Sequence, residues 1–162
     1  MLAVVVGDQL SKWWIINSFS YLETKPVIAG FFNLTFVLNT GAAFGFLAGE
    51  HALWRQLFFI AVALIALVVL YFAFLHYRHR GAWFVYGTGL VAGGAVGNLV
   101  DRIRLGAVID FLDFYVQSYH WPAFNVADSA ITTGVSLFLL GSFLTPAEEE
   151  AGDNRKEDTD DR

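Results

Sequence analysis

Two aspartates, Asp110 and Asp128, close off apolar stretches of the chain. They stand in Val108-Ile109-Asp110-Phe111-Leu112 and Phe124-Asn125-Val126-Ala127-Asp128. A charged side chain at membrane depth is costly, so it usually faces an internal cavity and has a task. Two carboxylates that meet share a proton, one acting as acid and the other as base. That chemistry suits hydrolysis, and the pair is the candidate catalytic centre of an intramembrane hydrolase. Taken singly, Asp128 would suit the positive N-terminal end of a helix, and Asp110 would suit a loop.

Other polar residues fall at meaningful spacings. Gly94, Asn98 and Asp101 follow at i, i+4 and i+7, on one side of a helix. Arg102 comes next. The Asp101–Arg102 pair reads as a structural clamp ending a span, with Asn98 bonded to a neighbouring backbone, or as part of the chemistry. Asp8 and Lys12 lie one turn apart, which allows an ion pair. Asn39 precedes Gly41, a turn signal when taken alone. Asn125 and Asp128 share a face, so Asn125 is placed to steer a carboxylate or a substrate carbonyl. Asp113 is read as solvated. His76 and His79 sit beside Arg78 and Arg80 in a basic turn.

Other chemistries have little support. Cysteine is absent, which removes thiol nucleophiles, disulfides and cysteine–zinc sites. No HExxH, Gly-x-Ser-x-Gly or phosphate-loop motif occurs. No metal or other cofactor is expected.

Composition names the solvent. The 162 residues are 56% hydrophobic and 15% charged, where soluble domains carry about a quarter charged residues. Lipid must surround most of the chain. The net charge of −5 owes much to the tail from Glu148 to Arg162. No basic face suggests nucleic acid.

Three apolar runs are long enough to span a bilayer: Trp54 to Leu75, Trp83 to Val100 and Ala123 to Leu144. Met1 to Ser18 is expected to form a first, shortened transmembrane helix, interrupted by Asp8, Gln9, Ser11 and Lys12. A cleavable signal peptide there would lack its basic leader and small-residue cleavage site. Gly89, Gly93 and Gly97 make a flat stripe for close helix packing. From Pro26 to Phe46 a period of two at Phe32, Leu34, Phe36 and Leu38 predicts short strands outside the hydrocarbon layer. Ala42 to Trp54 has room for a short interfacial helix. Leu105 to Trp121 reads as a connector whose aromatics suit the membrane boundary. The charged tail from Pro146 is expected to be disordered. Arg78, Arg80 and the tail's basic residues favour cytoplasmic termini, leaving Asp110 and Asp128 near the outer leaflet.

Five motifs then appear in order: Asp8-Gln9-Leu10-Ser11-Lys12; Asn39-Thr40-Gly41-Ala42-Ala43-Phe44; Gly93-Gly94-Ala95-Val96-Gly97-Asn98-Leu99-Val100-Asp101-Arg102; Val108-Ile109-Asp110-Phe111; and Phe124-Asn125-Val126-Ala127-Asp128. From about Asp8 to Leu144 the chain resembles the bacterial lipoprotein signal peptidase family, signal peptidase II. The resemblance implies an all-α membrane protein with four transmembrane helices, a small extracytoplasmic β-cradle and a short flap helix. It implies one peptidase domain over residues 1–145, with the β-like insert at about 26–46, and an acidic tail over 146–162 outside the family core. The implied activity is aspartic endopeptidase action on diacylglyceryl-modified prolipoproteins, cutting before the lipidated cysteine, at the cytoplasmic membrane. Asp110 and Asp128 correspond to the catalytic aspartates. Asp8, Asn39, Gly41, Asn98, Asp101, Arg102 and Asn125 correspond to supporting residues. The cyclic peptide globomycin is the implied inhibitor, and a monomer the expected state. The chain departs from the family in its short apolar lead before Asp8.

The competing class is a small transporter whose carboxylates relay protons or bind cations. Such proteins often carry internal repeats, and this chain shows none. Nor would a transporter need the β-like insert.

Overall fold

The computed structural model describes residues 1–41 and 53–144. The expected flap segment after Gly41 and the tail from residue 146 lie outside the described residues.

Four helices and four strands follow in the order α1 (Leu2–Ser18), β1 (Thr24–Ile28), β2 (Phe32–Asn39), α2 (Leu53–Tyr77), α3 (Ala82–Leu105), β3 (Val108–Val116), β4 (Tyr119–His120) and α4 (Val126–Leu144). Three helices, α2, α3 and α4, are long and apolar enough to cross a membrane. The chain is thus a multi-pass membrane protein. Helix α1 has 17 residues, or roughly 26 Å at 1.5 Å per residue, a little under a typical hydrocarbon core. It starts at Leu2, so the polar interruptions at Asp8 and Lys12 lie within one continuous helix.

Helix α3 is the central pillar and packs against α1, α2 and α4. Its glycines explain how. A Cβ added at Gly93 would lie 2.8 Å from the Cβ of Val4 on α1, and one at Gly87 would lie 2.8 Å from the Gly134 carbonyl on α4. A Cβ at Gly94 would run into the Ala127 carbonyl. Small residues let backbones approach where lipid gives no hydrophobic drive between helices. Helix α3 ends at Gly106 in the left-handed conformation, and the Gly106 N–H donates to the Arg102 carbonyl. That cap turns the chain directly into β3.

The all-α expectation holds only for the helices. A four-stranded antiparallel sheet of order β1-β2-β3-β4 stands beside them. Strands β1 and β2 fall within or close to the predicted insert. Strands β3 and β4 replace the predicted connector of Leu105 to Trp121. The string Val-Ile-Asp-Phe-Leu-Asp-Phe-Tyr-Val is β-branched and aromatic, which favours strand. Its aromatics had suggested a boundary loop instead. The core beneath the sheet joins Ile15 of α1 and Phe19, the residue that caps it, to Ile109 and Phe111 of β3, with Leu34, Phe36 and Leu38 of β2 packed on it. This core fixes the sheet to the helices.

Asp113 is a second correction. It is buried, not solvated. It stands opposite Asn33 across β2 and β3 and accepts a hydrogen bond from the Asn33 amide at 2.8 Å. His120 Nδ1 lies 2.8 Å from its other oxygen. A buried carboxyl needs such partners.

Candidate functional site

Asp110 sits on β3, not in a loop, and is 3% exposed. Asp128 sits in the first turn of α4. Both line one cleft of about 840 Å³, together with Asn39, Asn98 and Arg102. The walls are largely apolar, with Val37, Val108, Trp121, Phe124 and Ile131 among them.

Asn125 joins the two carboxylates. It is 0% exposed and immediately precedes α4. Its amide Nδ2 donates to Asp110 Oδ1 at 2.8 Å. Its backbone N–H donates to Asp128 Oδ2 at 3.2 Å, and its Oδ1 accepts from the Asp128 N–H at 3.0 Å. The latter two bonds make a capping box, which satisfies helix N–H groups that have no partner within the helix. The same bonds hold Asp128 in place.

Each carboxylate has a further partner. Asp110 Oδ2 accepts from the Asn39 amide at 3.0 Å. Asn39 and Asp110 reach each other diagonally, because Asn39 pairs with Val108 and Val37 with Asp110. Asn39 Oδ1 accepts the Gly41 N–H at 2.9 Å, the turn its spacing predicted. Asp128 Oδ1 accepts from Asn98 Nδ2 at 2.8 Å. Asn98 therefore bonds an acidic side chain, not the neighbouring backbone expected of it.

Arg102 is half-buried. Its guanidinium donates to the Gly41 carbonyl at 3.2 Å and lies 5.1 Å from the Phe59 ring of α2. It does not clamp Asp101. Instead Asp101 turns the other way, into an ion pair with Lys12 at 2.8 Å. The Ile109 N–H also donates to Asp101, at 3.3 Å, which ties α3 to the residue before Asp110. Asp8 and Lys12 pair at 2.8 Å, at the predicted spacing. Asp8 also accepts the Ala127 N–H at 2.9 Å, so α1 caps the start of α4. Among the described residues, no buried side-chain nitrogen or oxygen lacks a hydrogen-bond partner.

The role of Gln9 went unrecognised in the sequence, as did the reach of Lys12 beyond its predicted partner. Gln9 donates to Asp101 Oδ1 at 2.9 Å and to the Gly97 carbonyl at 3.2 Å. Lys12 reaches past Asp8 to α3. The signal was the spacing of Asp8, Gln9 and Lys12 along one helix.

Electrostatics acts strongly on Asp110. Burial, and then the neighbouring Asp128 carboxylate, push the Asp110 carboxyl up to about 7. The bonds from Asn39 and Asn125 and the charge of Lys12 oppose that rise without cancelling it.

Comparison with known proteins identifies the family. Residues 1–144 match the family model described as signal peptidase (SPase) II. The chain is 49% identical to the lipoprotein signal peptidase of Syntrophus aciditrophicus, over 91% of each protein. It is 50% identical to that of Cupriavidus necator, over 86% of this chain and 78% of the relative. A solved structure titled as a bacterial membrane enzyme superposes with a TM-score of 0.75 at 31% identity, covering 96% of this chain and 88% of the other. A second of the same description gives 0.71 at 34% identity, covering 86% of each. The chain belongs to the signal peptidase II family, and is a peptidase of the membrane.

Proposed function

We propose that this protein is an intramembrane aspartic endopeptidase that removes signal peptides from diacylglyceryl-modified prolipoproteins, cutting before the lipidated cysteine. Asp110 and Asp128 are its catalytic pair. The observation that carries the reading is Asn125, which is hydrogen-bonded to both of the carboxylates that line one cleft.

Asp128 is the base. It is half-exposed, and its carboxylate receives two N–H groups, from the Asn98 amide and the Asn125 backbone, while its own N–H donates to Asn125 Oδ1 and seats it. The positive end of α4 also favours its charge. Asp110 holds the shared proton, being the buried partner raised to about 7. Asp128 takes a proton from water, and the oxygen attacks the scissile carbonyl. Asp110 gives its proton to the carbonyl oxygen. On collapse the proton on Asp128 passes to the leaving nitrogen, and Asp110 recovers its own. Orientation and acid–base assistance supply the rate.

The apolar walls suit a substrate with two acyl chains. Ile131 and Thr132 continue the cleft one turn along α4 beyond Asp128, toward the hydrocarbon. In this reading α1 is the fourth, short transmembrane helix, the termini are cytoplasmic, and the sheet and site lie at the outer leaflet of the cytoplasmic membrane. Residues 1–145 form the peptidase domain. The enzyme works as a monomer and binds globomycin at this site.

The test is cleavage of a lipidated precursor by purified wild type, Asp110→Asn and Asp128→Asn, with and without globomycin. Both variants should insert normally and cleave nothing measurable. Full activity in either one would refute the pair.

A further inference from the structure

Lys12 is a fully partnered buried ammonium, and neither carboxylate of the pair is among its hydrogen-bond partners. It is 1% exposed. Its ammonium has three hydrogens and meets three acceptors: Asp8 Oδ2 at 2.8 Å, Asp101 Oδ2 at 2.8 Å and Asn98 Oδ1 at 2.9 Å. Two carboxylates would suffice to neutralise it. The third bond goes to a neutral amide whose other end donates to Asp128 Oδ1.

We propose that Lys12 is a positioning residue for Asp128, acting through the side-chain amide of Asn98. This rests on the assignment of Asp128 as the base. An ammonium only donates, so the Asn98 oxygen must face Lys12. The Asn98 NH2 is then left to face Asp128. Turning the amide over would set donor against donor at Lys12 and oxygen against carboxylate at Asp128. Asn125 supports the same orientation, since its amide also donates to Asn98 Oδ1, at 3.3 Å. The donors thus run one way, from Lys12 through Asn98 to Asp128. The relay favours the ionised carboxylate that a base requires.

Other groups act on the same carboxylate. Arg102 on α3 carries a positive charge near both Asp128 and Asp110. Asp110 faces it from β3. Asp8 on α1 holds the backbone N–H of Ala127, and Asp101 on α3 stands behind Lys12. All are retained in the variants below except Asp101, which is controlled separately.

The variants are Lys12→Met/Asp101→Asn, which keeps the cluster's net charge, Asp101→Asn alone, and Asn98→Ala. Each is assayed for kcat and KM against pH with lipidated precursor. The acidic limb of the kcat profile should move to higher pH by about one unit, the scale of one charge-assisted hydrogen bond, in the Lys12 double variant and in Asn98→Ala. KM should stay within about two-fold, because the relay orients a reacting group and does not hold substrate. Asp101→Asn alone should leave the limb in place. Adding Asn98→Ala to the Lys12 variant should move it no further. A merely structural lysine would lower the whole profile without moving the limb, and that result would overturn the proposal. Should the Lys12 double variant not fold, Asn98→Ala decides: a limb at the wild-type position removes the relay. If wild type itself cleaves nothing, the peptidase reading fails, and infrared spectroscopy tests the relay without turnover. In an Asp110→Asn background, the protonated-carboxyl band lost in Asp128→Asn should persist to higher pH once Asn98 is alanine. An unchanged band overturns the relay.

Discussion

Asn125 and Asp128 hold each other across the first turn of α4, the backbone N–H of each bonded to a side-chain oxygen of the other. A helix cap is thereby also the mount of a candidate catalytic carboxylate. Stability and chemistry share these atoms, so a lesion at Asn125 should register in both.

Asn125→Ala removes the cap and the bridge to Asp110. We expect a stability loss of about 1–2 kcal/mol from the cap. We also expect cleavage to fall by about 10²-fold or more, the range of acid–base assistance. Thermal unfolding in detergent and initial rates check the two effects. Wild-type cleavage by the folded variant would separate the cap from the site.

The buried Asp110 carboxyl should make stability and, under the proposed mechanism, activity depend on pH. Its folded value, about 7, lies above the ordinary carboxylate value of 3.8. Between those two pH values the folded protein holds a proton that the unfolded chain has lost. Stability therefore falls as pH rises across that window. Activity should also fall as pH rises through about 7, because the acid loses its proton. Unfolding measured from pH 4 to pH 8 should show a slope that is weakened in Asp110→Asn. A flat wild-type profile would contradict the burial argument.

The glycines of α3 should differ sharply in tolerance. At Gly94 a methyl would collide with the carbonyl of Ala127, the residue before Asp128, while at Gly89 the nearest atom is 3.8 Å away. Gly94→Ala should cost about 1–3 kcal/mol by overpacking and displace the start of α4. Gly89→Ala should be near neutral. Denaturation midpoints and cleavage rates of the two variants side by side test this, and equal behaviour would sink it.

Substrate lipidation should matter through burial against the apolar cleft. Acyl chains contribute about 0.8 kcal/mol per buried CH2, so precursor without its diacylglyceryl group should be cut far more slowly at equal concentration. Kinetics on paired precursors measures the difference. Equal turnover would remove the acyl chains from recognition.

Much of the architecture was legible because lipid imposes simple rules on composition. The long apolar runs became α2, α3 and α4, and the alternation at Phe32 to Leu38 became β2. The glycine stripe of α3 packs against α1 as its spacing suggested. Strand β3 was less legible. Its residues favour a strand, yet its aromatics equally suit a membrane boundary, and only pairing with β2 distinguishes the two. Asp113 looked solvated because its partners, Asn33 and His120, are distant or unremarkable in sequence.

Residue types and short spacings alone indicated that the chain lives in lipid, singled out Asp110 and Asp128 as the candidate pair, and predicted that Asp8 pairs with Lys12. Such rules act within one or two helical turns. Which acid meets which amide was decided only by folding. Asn125 bridges Asp110 and Asp128, Asn98 turns toward Asp128, and Asp101 turns from Arg102 to Lys12. Those bonds join α1, α3, β3 and α4, and hydrogen bonds form only where tertiary packing brings donor and acceptor to about 3 Å.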